Sequence, residues 1–386
     1  MRIFISTGEV SGDWHGAILT EALLAQARSQ GLDLEIIALG GDRMVAAGAK
    51  LLGNTLGIGS IGLAEALPYI IPTLRVQSQA KAYLKQHPPD LVILIDYVGP
   101  NTSMGWFVKQ HLGVPVIYYI APQEWVWSFN QKNTNAIAAF TDQILAIFPE
   151  EARYYRRYSD RVTWVGHPLV ELMAKVPERS LAREILGITP EQKVVVLLPA
   201  SRRQEIELLL PIMLETATLI QAQIPDVQFW LPLALGRYRP EIETQIAKFN
   251  LPIHLVSEQP SQVVIRAADL VLSKSGTVNL ETALLGIPQV VIYRVTAVTA
   301  WLARRVLGFS IPFMSPPNLV EMRAIVPEFL QEAANPAAIA PVCLDLLADG
   351  QTRQQMLQDY AQMRLALGDD QAISRVCEQI FAILPG

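Results

Sequence analysis

The feature that most constrains this chain is an alternation that runs once and then restarts. Short β-branched runs are separated by longer amphipathic stretches, the pattern of parallel sheets assembled from βαβ units. In the first half, strands are expected at Ile3–Ser6, Glu35–Leu39, Asp90–Ile95, Val114–Ile120, Gln143–Phe148 and Val162–Val165. Helices are expected between them, among them Gly16–Ser29, Pro72–Gln86 and Met104–His111. Gly166–Arg179 holds two prolines and no strand signal, so it reads as a linker. The alternation then resumes with a strand at Lys193–Leu198, a long helix at Glu205–Gln223 and a strand at Val227–Leu231. Further strands follow at Ile253–Val256, Asp269–Leu272 and Gln289–Tyr293, and beyond Pro316 the pattern reads as almost purely helical. The expected fold class is therefore α/β: two Rossmann-like domains facing a cleft, with a C-terminal helical tail. The expected domains are 1–170, 171–340 and a helical tail at 341–386 that packs back on the first.

Composition narrows the function classes. A chain of 386 residues exceeds the usual single domain. Its 51% hydrophobic and 17% charged residues fill two cores and leave apolar surface over. No window reaches the roughly 20 uninterrupted apolar residues of a membrane span. The N-terminus MRIFISTGEVSGD lacks the basic and apolar regions of a signal peptide and reads as a first strand entering a glycine-bearing loop. Cys343 and Cys377 have no metal or disulfide spacing, so no zinc site is indicated. A net charge of −5 argues against a general nucleic-acid binder. A cytosolic protein fits.

Four loops at expected strand ends could carry chemistry, because ligands of open α/β sheets bind outside the carboxyl ends of the strands. The first is Gly8-Glu9-Val10-Ser11-Gly12-Asp13-Trp14-His15-Gly16. Glycines let backbone approach a ligand, and Glu9 and Asp13 offer carboxylates to sugar hydroxyls. The spacing is not that of a nicotinamide site, and a plain turn capped by Ser11 or Asp13 is the bland alternative. The second is Asp96, closing the apolar run LVILID, a position where partial desolvation favours general-base work. An N-cap role is its alternative. The third is Arg202 in Pro199-Ala200-Ser201-Arg202-Arg203-Gln204-Glu205, placed to meet a phosphate, whereas Arg203 could simply pair with Glu207. The fourth is Lys274-Ser275-Gly276-Thr277-Val278-Asn279-Leu280-Glu281, a small-residue turn opening a helix, with Glu281 near enough to take ribose hydroxyls; Ser275 as a plain N-cap is the alternative.

Together these pieces resemble the lipid-A-disaccharide synthase family, nucleotide-sugar glycosyltransferases of GT-B architecture. The matching segments are GEVSGDWHGA, IDYVGPN, YYIAPQEWVW, VGHPL, LPASRRQE, SGTVNLETALLGIPQVVIYRV and PNLV…IVPEFLQE, in family order across nearly the whole chain. The resemblance implies transfer of 2,3-diacylglucosamine from UDP to the 6-hydroxyl of 2,3-diacylglucosamine 1-phosphate. An α-linked donor becomes a β-1,6-linked disaccharide, so the reaction inverts the anomeric carbon. It implies that Asp96 and Arg202 are the essential acid and arginine, and that Gly8, Glu9, Ser11, Gly12 and Asp13 form a substrate loop. Ser275, Gly276, Thr277 and Glu281 fall on the nucleotide side, and Asn318 and Arg323 match polar residues after the second domain. No cofactor and no metal are implied. Departures from the family's pattern are Ser128-Phe129-Asn130 after Trp127, Ala200 for a glycine, and Gly99 where some members have an aspartate; they bear on acyl-chain choice and acceptor-phosphate contacts.

Both implied substrates, the UDP-diacylglucosamine donor and the acylated glucosamine phosphate acceptor, carry acyl chains. The expected location is peripheral, on the inner face of the cytoplasmic membrane, and a homodimer is one assembly open to the chain. Two segments suit a bilayer surface: Leu56–Ile71, with one charge in sixteen residues, and Ala297–Phe309, which joins Trp301 and Leu302 to Arg304 and Arg305. Buried packing is the alternative for both. Two other functions stay open: a UDP-sugar 2-epimerase-like isomerase and an inactive lipid-sugar-binding homologue.

Overall fold

The computed structural model describes residues 1–8, 10–56, 63–126, 131–199, 203–233, 236–296 and 312–384, without the side chains of residues 63–69 and 237. The chain divides into two compact units, Met1–Pro168 with Gly368–Gly386, and Leu169–Leu367. Each is a parallel α/β unit.

In the first unit the strands are β1 (Arg2–Ser6), β2 (Glu35–Gly40), β3 (Lys50–Asn54), β4 (Leu91–Ile95), β5 (Val116–Tyr119), β6 (Gln143–Ala146) and β7 (Val162–Trp164). They pair in the order β3-β2-β1-β4-β5-β6-β7, every pair parallel. Helices cover both faces, so β4 is apolar throughout and wholly buried, as parallel sheets require. The strand order reverses between β1 and β4. The crevice at that switch point is bounded by the loops that follow these two strands.

The helices are α1 (Val10–Ser29), α2 (Asp42–Ala46), α3 (Leu63–Gln86), α4 (Val98–His111), α5 (Lys132–Phe140) and α6 (Pro149–Tyr155), joined by the C-terminal Ala372–Ile383, which packs on α1. Three readings change here. The segment from Val10 to Gly16 is the first two turns of α1 and not an extended loop; tertiary packing overrides the helix-weakening glycines. Strand β3 was not foreseen, because the half-exposed KLLGN at a sheet edge lacks the β-branched signal. The segment read as a linker contains a helix, α7 (Pro168–Ala174), whose leading proline fits its first turn.

The second unit continues with α8 (Arg179–Leu186), β8 (Val194–Leu198), α9 (Arg203–Gln223), β9 (Gln228–Pro232), α10 (Arg239–Ile246), β10 (Ile253–Val256), α11 (Ser261–Ala267), β11 (Leu270–Lys274), α12 (Thr277–Leu284) and β12 (Gln289–Tyr293). Then come α13 (Pro316–Glu321), β13 (Glu328–Leu330), α14 (Pro336–Leu347) and α15 (Gln351–Ala366); the remaining Ala372–Ile383 is α16. The strand order is β10-β9-β8-β11-β12-β13, again all parallel, with its switch point between β8 and β11. The stretch from Pro316 on is almost purely helical, as expected, with one short strand within it. β13 is three residues long and takes its place by pairing with β12, a signal too short for periodicity to carry.

Candidate functional site

In the first unit Asp96, Gly8 and Gly12 lie around the exits of β1 and β4, at the switch point. Asp96 and Tyr97 follow β4 directly, and both hold left-handed backbone, φ 47° and 56°. Two consecutive non-glycine residues in that region are costly and persist only where the surroundings over-determine them, a signature of functional turns. The determinants are visible. Asn101, fully buried in the first turns of α4, donates through Nδ2 to the carbonyls of Asp96 (2.8 Å), Ile95 (3.0 Å) and Ser6 (3.2 Å). Its Oδ1 accepts from the Ser6 hydroxyl at 2.7 Å. The Tyr118 hydroxyl donates to the Asp96 carbonyl at 2.7 Å, and the Asp96 amide donates to the Ile120 carbonyl at 3.0 Å. The Asp96 side chain is half-buried at the mouth of the sheet.

Gly8 and Gly12 are required sterically. A Cβ on Gly8 would stand 2.3 Å from the Tyr97 ring, and one on Gly12 would stand 1.8 Å from the Thr7 hydroxyl oxygen. Gly8 thereby lets β1's exit pass under the left-handed turn that carries Asp96. Ser11 is half-buried in the first turn of α1. Asp13 has a different use from the one expected: it is 1% exposed, and its carboxylate accepts the amides of Gly41 (2.7 Å), Arg43 (3.3 Å) and Met44 (3.3 Å). It caps α2, satisfying donors that helix starts leave open. Glu9 lies outside the described residues.

A residue that sequence reasoning missed sits behind Asp96. Glu151 is buried and accepts the amides of Ala121 (2.9 Å), Ile147 (2.9 Å) and Phe148 (3.2 Å), pinning the exits of β5 and β6. Burial pushes its carboxyl up to about 8 against those three donors, and the nearby Asp96 charge pushes further in the same direction. Burial, and then Asp96, also raises the Tyr118 phenol well above its ordinary value. The signal available in the sequence was Glu three residues into a helix that opens with proline, a capping position.

In the second unit the turn after β11 places Ser275, Gly276 and Thr277 at the start of α12. The Ser275 hydroxyl donates to the Met314 carbonyl at 2.6 Å, and the Gly276 amide donates to Asn279 Oδ1 at 2.8 Å. Asn279 Nδ2 reaches back to the Ser273 hydroxyl (2.7 Å) and the Lys274 carbonyl (3.1 Å). Glu281, 6% exposed, accepts from Gln262 Nε2 at 2.8 Å. Thr277 and Glu281 share one face of α12, one turn apart. A helix start with small residues suits an anion, and a carboxylate one turn on suits hydroxyls.

Arg202 lies outside the described residues. Its neighbour Arg203 is 70% exposed and pairs with Glu207 at 3.0 Å, the solvated arrangement expected for it. Asn318 and Arg323 are both engaged by neighbours within the second unit. Asn318 is buried, donates to the Val326 carbonyl and Glu328, and accepts the amides of Ile325 and Val326. Arg323 pairs with Asp359 at 2.7 Å and Glu321 at 3.5 Å. Among the described residues no group of three metal-ligating side chains occurs.

A family model described as lipid-A-disaccharide synthetase matches residues 3–384. The lipid-A-disaccharide synthase of Gloeothece citriformis (strain PCC 7424) is 51% identical over 381 residues, 98% of this chain and 99% of that one. That of Myxococcus xanthus (strain DK1622) is 35% identical over 384 residues, 100% of this chain and 98% of the other. Among solved structures, the UDP-GlcNAc 2-epimerase from Neisseria meningitidis bound to UDP-GlcNAc superposes with a TM-score of 0.68 at 14% identity, covering 99% of this chain and 100% of its own. CalG4, the calicheamicin glycosyltransferase, gives 0.60 at 14% identity, covering 99% and 98%. At that identity the likeness shows the fold alone.

Proposed function

Because the chain belongs to the lipid-A-disaccharide synthase family, we infer that it transfers 2,3-diacylglucosamine from UDP to the 6-hydroxyl of 2,3-diacylglucosamine 1-phosphate, releasing UDP. The observation that carries this reading is family identity over the whole chain. The epimerase alternative rests only on a distant structural likeness.

In this reading Asp96 is the general base. The acceptor O6 attacks the donor's anomeric carbon on the face opposite the leaving group; the O6 proton passes to Asp96 and the bond from carbon to the diphosphate oxygen breaks. UDP leaves with the electron pair. Asp96 suits the task because its backbone is clamped by Asn101, Tyr118 and Ile120, so the turn that carries this half-buried acid is in place before substrate arrives. Arg202 neutralises charge developing on the diphosphate, the small-residue turn at Ser275–Thr277 cradles it, and Glu281 takes the ribose hydroxyls. UDP release measured from UDP-diacylglucosamine, with and without the monosaccharide acceptor, tests the reaction. Release that ignores the acceptor, or epimer formed from UDP-N-acetylglucosamine without transfer, would overturn it.

The acyl chains of both substrates place the enzyme's work at a bilayer surface, on the inner face of the cytoplasmic membrane. Among the described residues no helix is long and apolar enough to cross a membrane. Support for surface contact comes from α3, which leaves Ile70, Ile71 and Leu74 exposed by 46, 78 and 63%. The basic segment 297–309 lies outside the described residues.

A further inference from the structure

The two units build their switch points with the same device. In the first, Asn101 reaches back five residues to the carbonyl of Asp96; in the second, Asn279 reaches back five residues to the carbonyl of Lys274. Lys274 closes β11 at the second unit's switch point, as the Asp96 turn follows β4 at the first unit's. Its ammonium is not turned away to solvent. It bonds both oxygens of Glu205, in the first turn of α9, at 3.0 and 3.3 Å, and the two side chains are 20% and 15% exposed. Its stem folds over the donor-side turn: a Cβ on Gly276 would stand 3.8 Å from Nζ and 3.5 Å from Cε.

From this geometry we propose that Lys274 is a further donor-binding residue, which contacts the diphosphate of the UDP-sugar and is held over the Ser275–Thr277 turn by Glu205 until the donor arrives. The inference rests on the reading that this turn cradles the diphosphate. Chemistry favours the exchange. Glu205 carries one negative charge and the diphosphate carries more, so a phosphate oxygen entering beside Gly276 competes effectively for an ammonium already within reach. The pair remains tight without ligand because a half-buried lysine left unpaired would be costly. Glu205 therefore holds the ammonium over the turn while the donor is absent and competes with phosphate for it when the donor enters.

A purely structural ion pair, tying β11 to the start of α9, would behave differently, and binding measurements separate the two. UDP and uridine are titrated calorimetrically into the full chain and its variants, with thermal midpoints checking that each is folded. Lys274→Met should weaken UDP by about tenfold or more while uridine changes by less than about twofold, the weight of a charged hydrogen bond to phosphate. Lys274→Arg, which keeps the charge, should stay within about threefold. Glu205→Gln should bind UDP as tightly as wild type or tighter, since the competitor is gone. The double variant Lys274→Met/Glu205→Gln should remain weak.

Equal losses in Lys274→Met and Glu205→Gln would mean a structural tie and overturn the proposal. Recovery of wild-type affinity in the double variant would also overturn it, because the single-variant loss would then come from unmasked Glu205 repelling UDP. Unchanged UDP affinity in Lys274→Met would do the same. If the wild-type chain binds no UDP, the donor-side reading itself fails and takes this inference with it.

Discussion

The backbone amide of Asp96 donates to the carbonyl of Ile120 at 3.0 Å, and both residues hold left-handed backbone, φ 47° and 59°. Two neighbouring strands thus end in strained turns that hold each other. β-branched isoleucine rarely adopts this conformation, so the contact is maintained by its surroundings: Glu151 takes the amide of Ala121 just beyond, and Tyr118 and Asn101 take the Asp96 carbonyl. Contacts of this kind hold the turn that carries Asp96 in place before a substrate arrives.

Removing the base should spare binding. Asp96→Asn keeps size and shape, so UDP affinity is expected near wild type while turnover falls by about 10²–10⁴-fold. Steady-state rates alongside calorimetric UDP titration check this. A variant that keeps more than a tenth of the wild-type rate takes the base role away from Asp96.

Gly8→Ala tests the scaffold beneath the turn. The new methyl meets the Tyr97 ring at 2.3 Å and must move Tyr97, and with it Asp96. A fall in kcat of about tenfold or more is expected, since small misplacements of a catalytic group are costly. Gly99→Ala is the control, because nothing lies within 4 Å of its added Cβ. Similar rates for the two variants would sever the link between Gly8 and the Asp96 turn.

On the nucleotide side, Arg202→Ala should lose both donor affinity and rate, because charge builds on departing UDP. Arg203→Ala should change either by less than about twofold, its side chain being 70% exposed and paired with Glu207. Matching losses at both positions would point to a diffuse electrostatic patch in place of a clamp.

Acid should destabilise the first unit through a histidine. His15 is 6% exposed, its Nδ1 has no hydrogen-bond partner among the described residues, and burial lowers its pKa to about 4. His167, whose ring lies 6.3 Å away, is lowered too, by burial and then by His15. A folded pKa below the unfolded value near 6.5 means that the unfolded chain takes the proton first. Stability is therefore complete above about pH 6.5 and is lost as pH falls toward 4, by up to about 3 kcal/mol from His15. Glu151 acts in the opposite sense, its contribution being lost as pH rises from the ordinary carboxylate range toward about 8. The signed change in urea midpoint on going from pH 5 to pH 7.5 should be less positive, or more negative, in His15→Leu than in wild type; an identical change refutes the assignment.

At the membrane, wild type should sediment with vesicles of anionic lipid, and Ile71→Ser/Leu74→Ser should do so less. Both side chains are exposed, so the double variant should keep its thermal midpoint and its rate on detergent-dispersed substrate. Equal sedimentation of the two proteins would remove α3 from the bilayer contact.

The sequence by itself determined the two parallel α/β units and the strand ends where chemistry could sit. Wholly buried strands such as LVILI must be apolar along their length, and the helices between them must be amphipathic, so the alternation is written locally. What the tertiary structure decided is which of the polar residues at those ends are available. Asp13 and Asp96 look alike as acids beside glycines; only the fold brings the amides of Gly41, Arg43 and Met44 onto Asp13 and leaves Asp96 on a clamped turn. Asn318 matched a site residue by position, yet its amide is taken up by Val326, Ile325 and Glu328. Lys274 and Glu205 are 69 residues apart and meet only because β11 and the start of α9 share a switch point. Burial and periodicity are properties of neighbours along the chain, whereas the partner of a polar group is set by whatever packing brings within 3 Å of it.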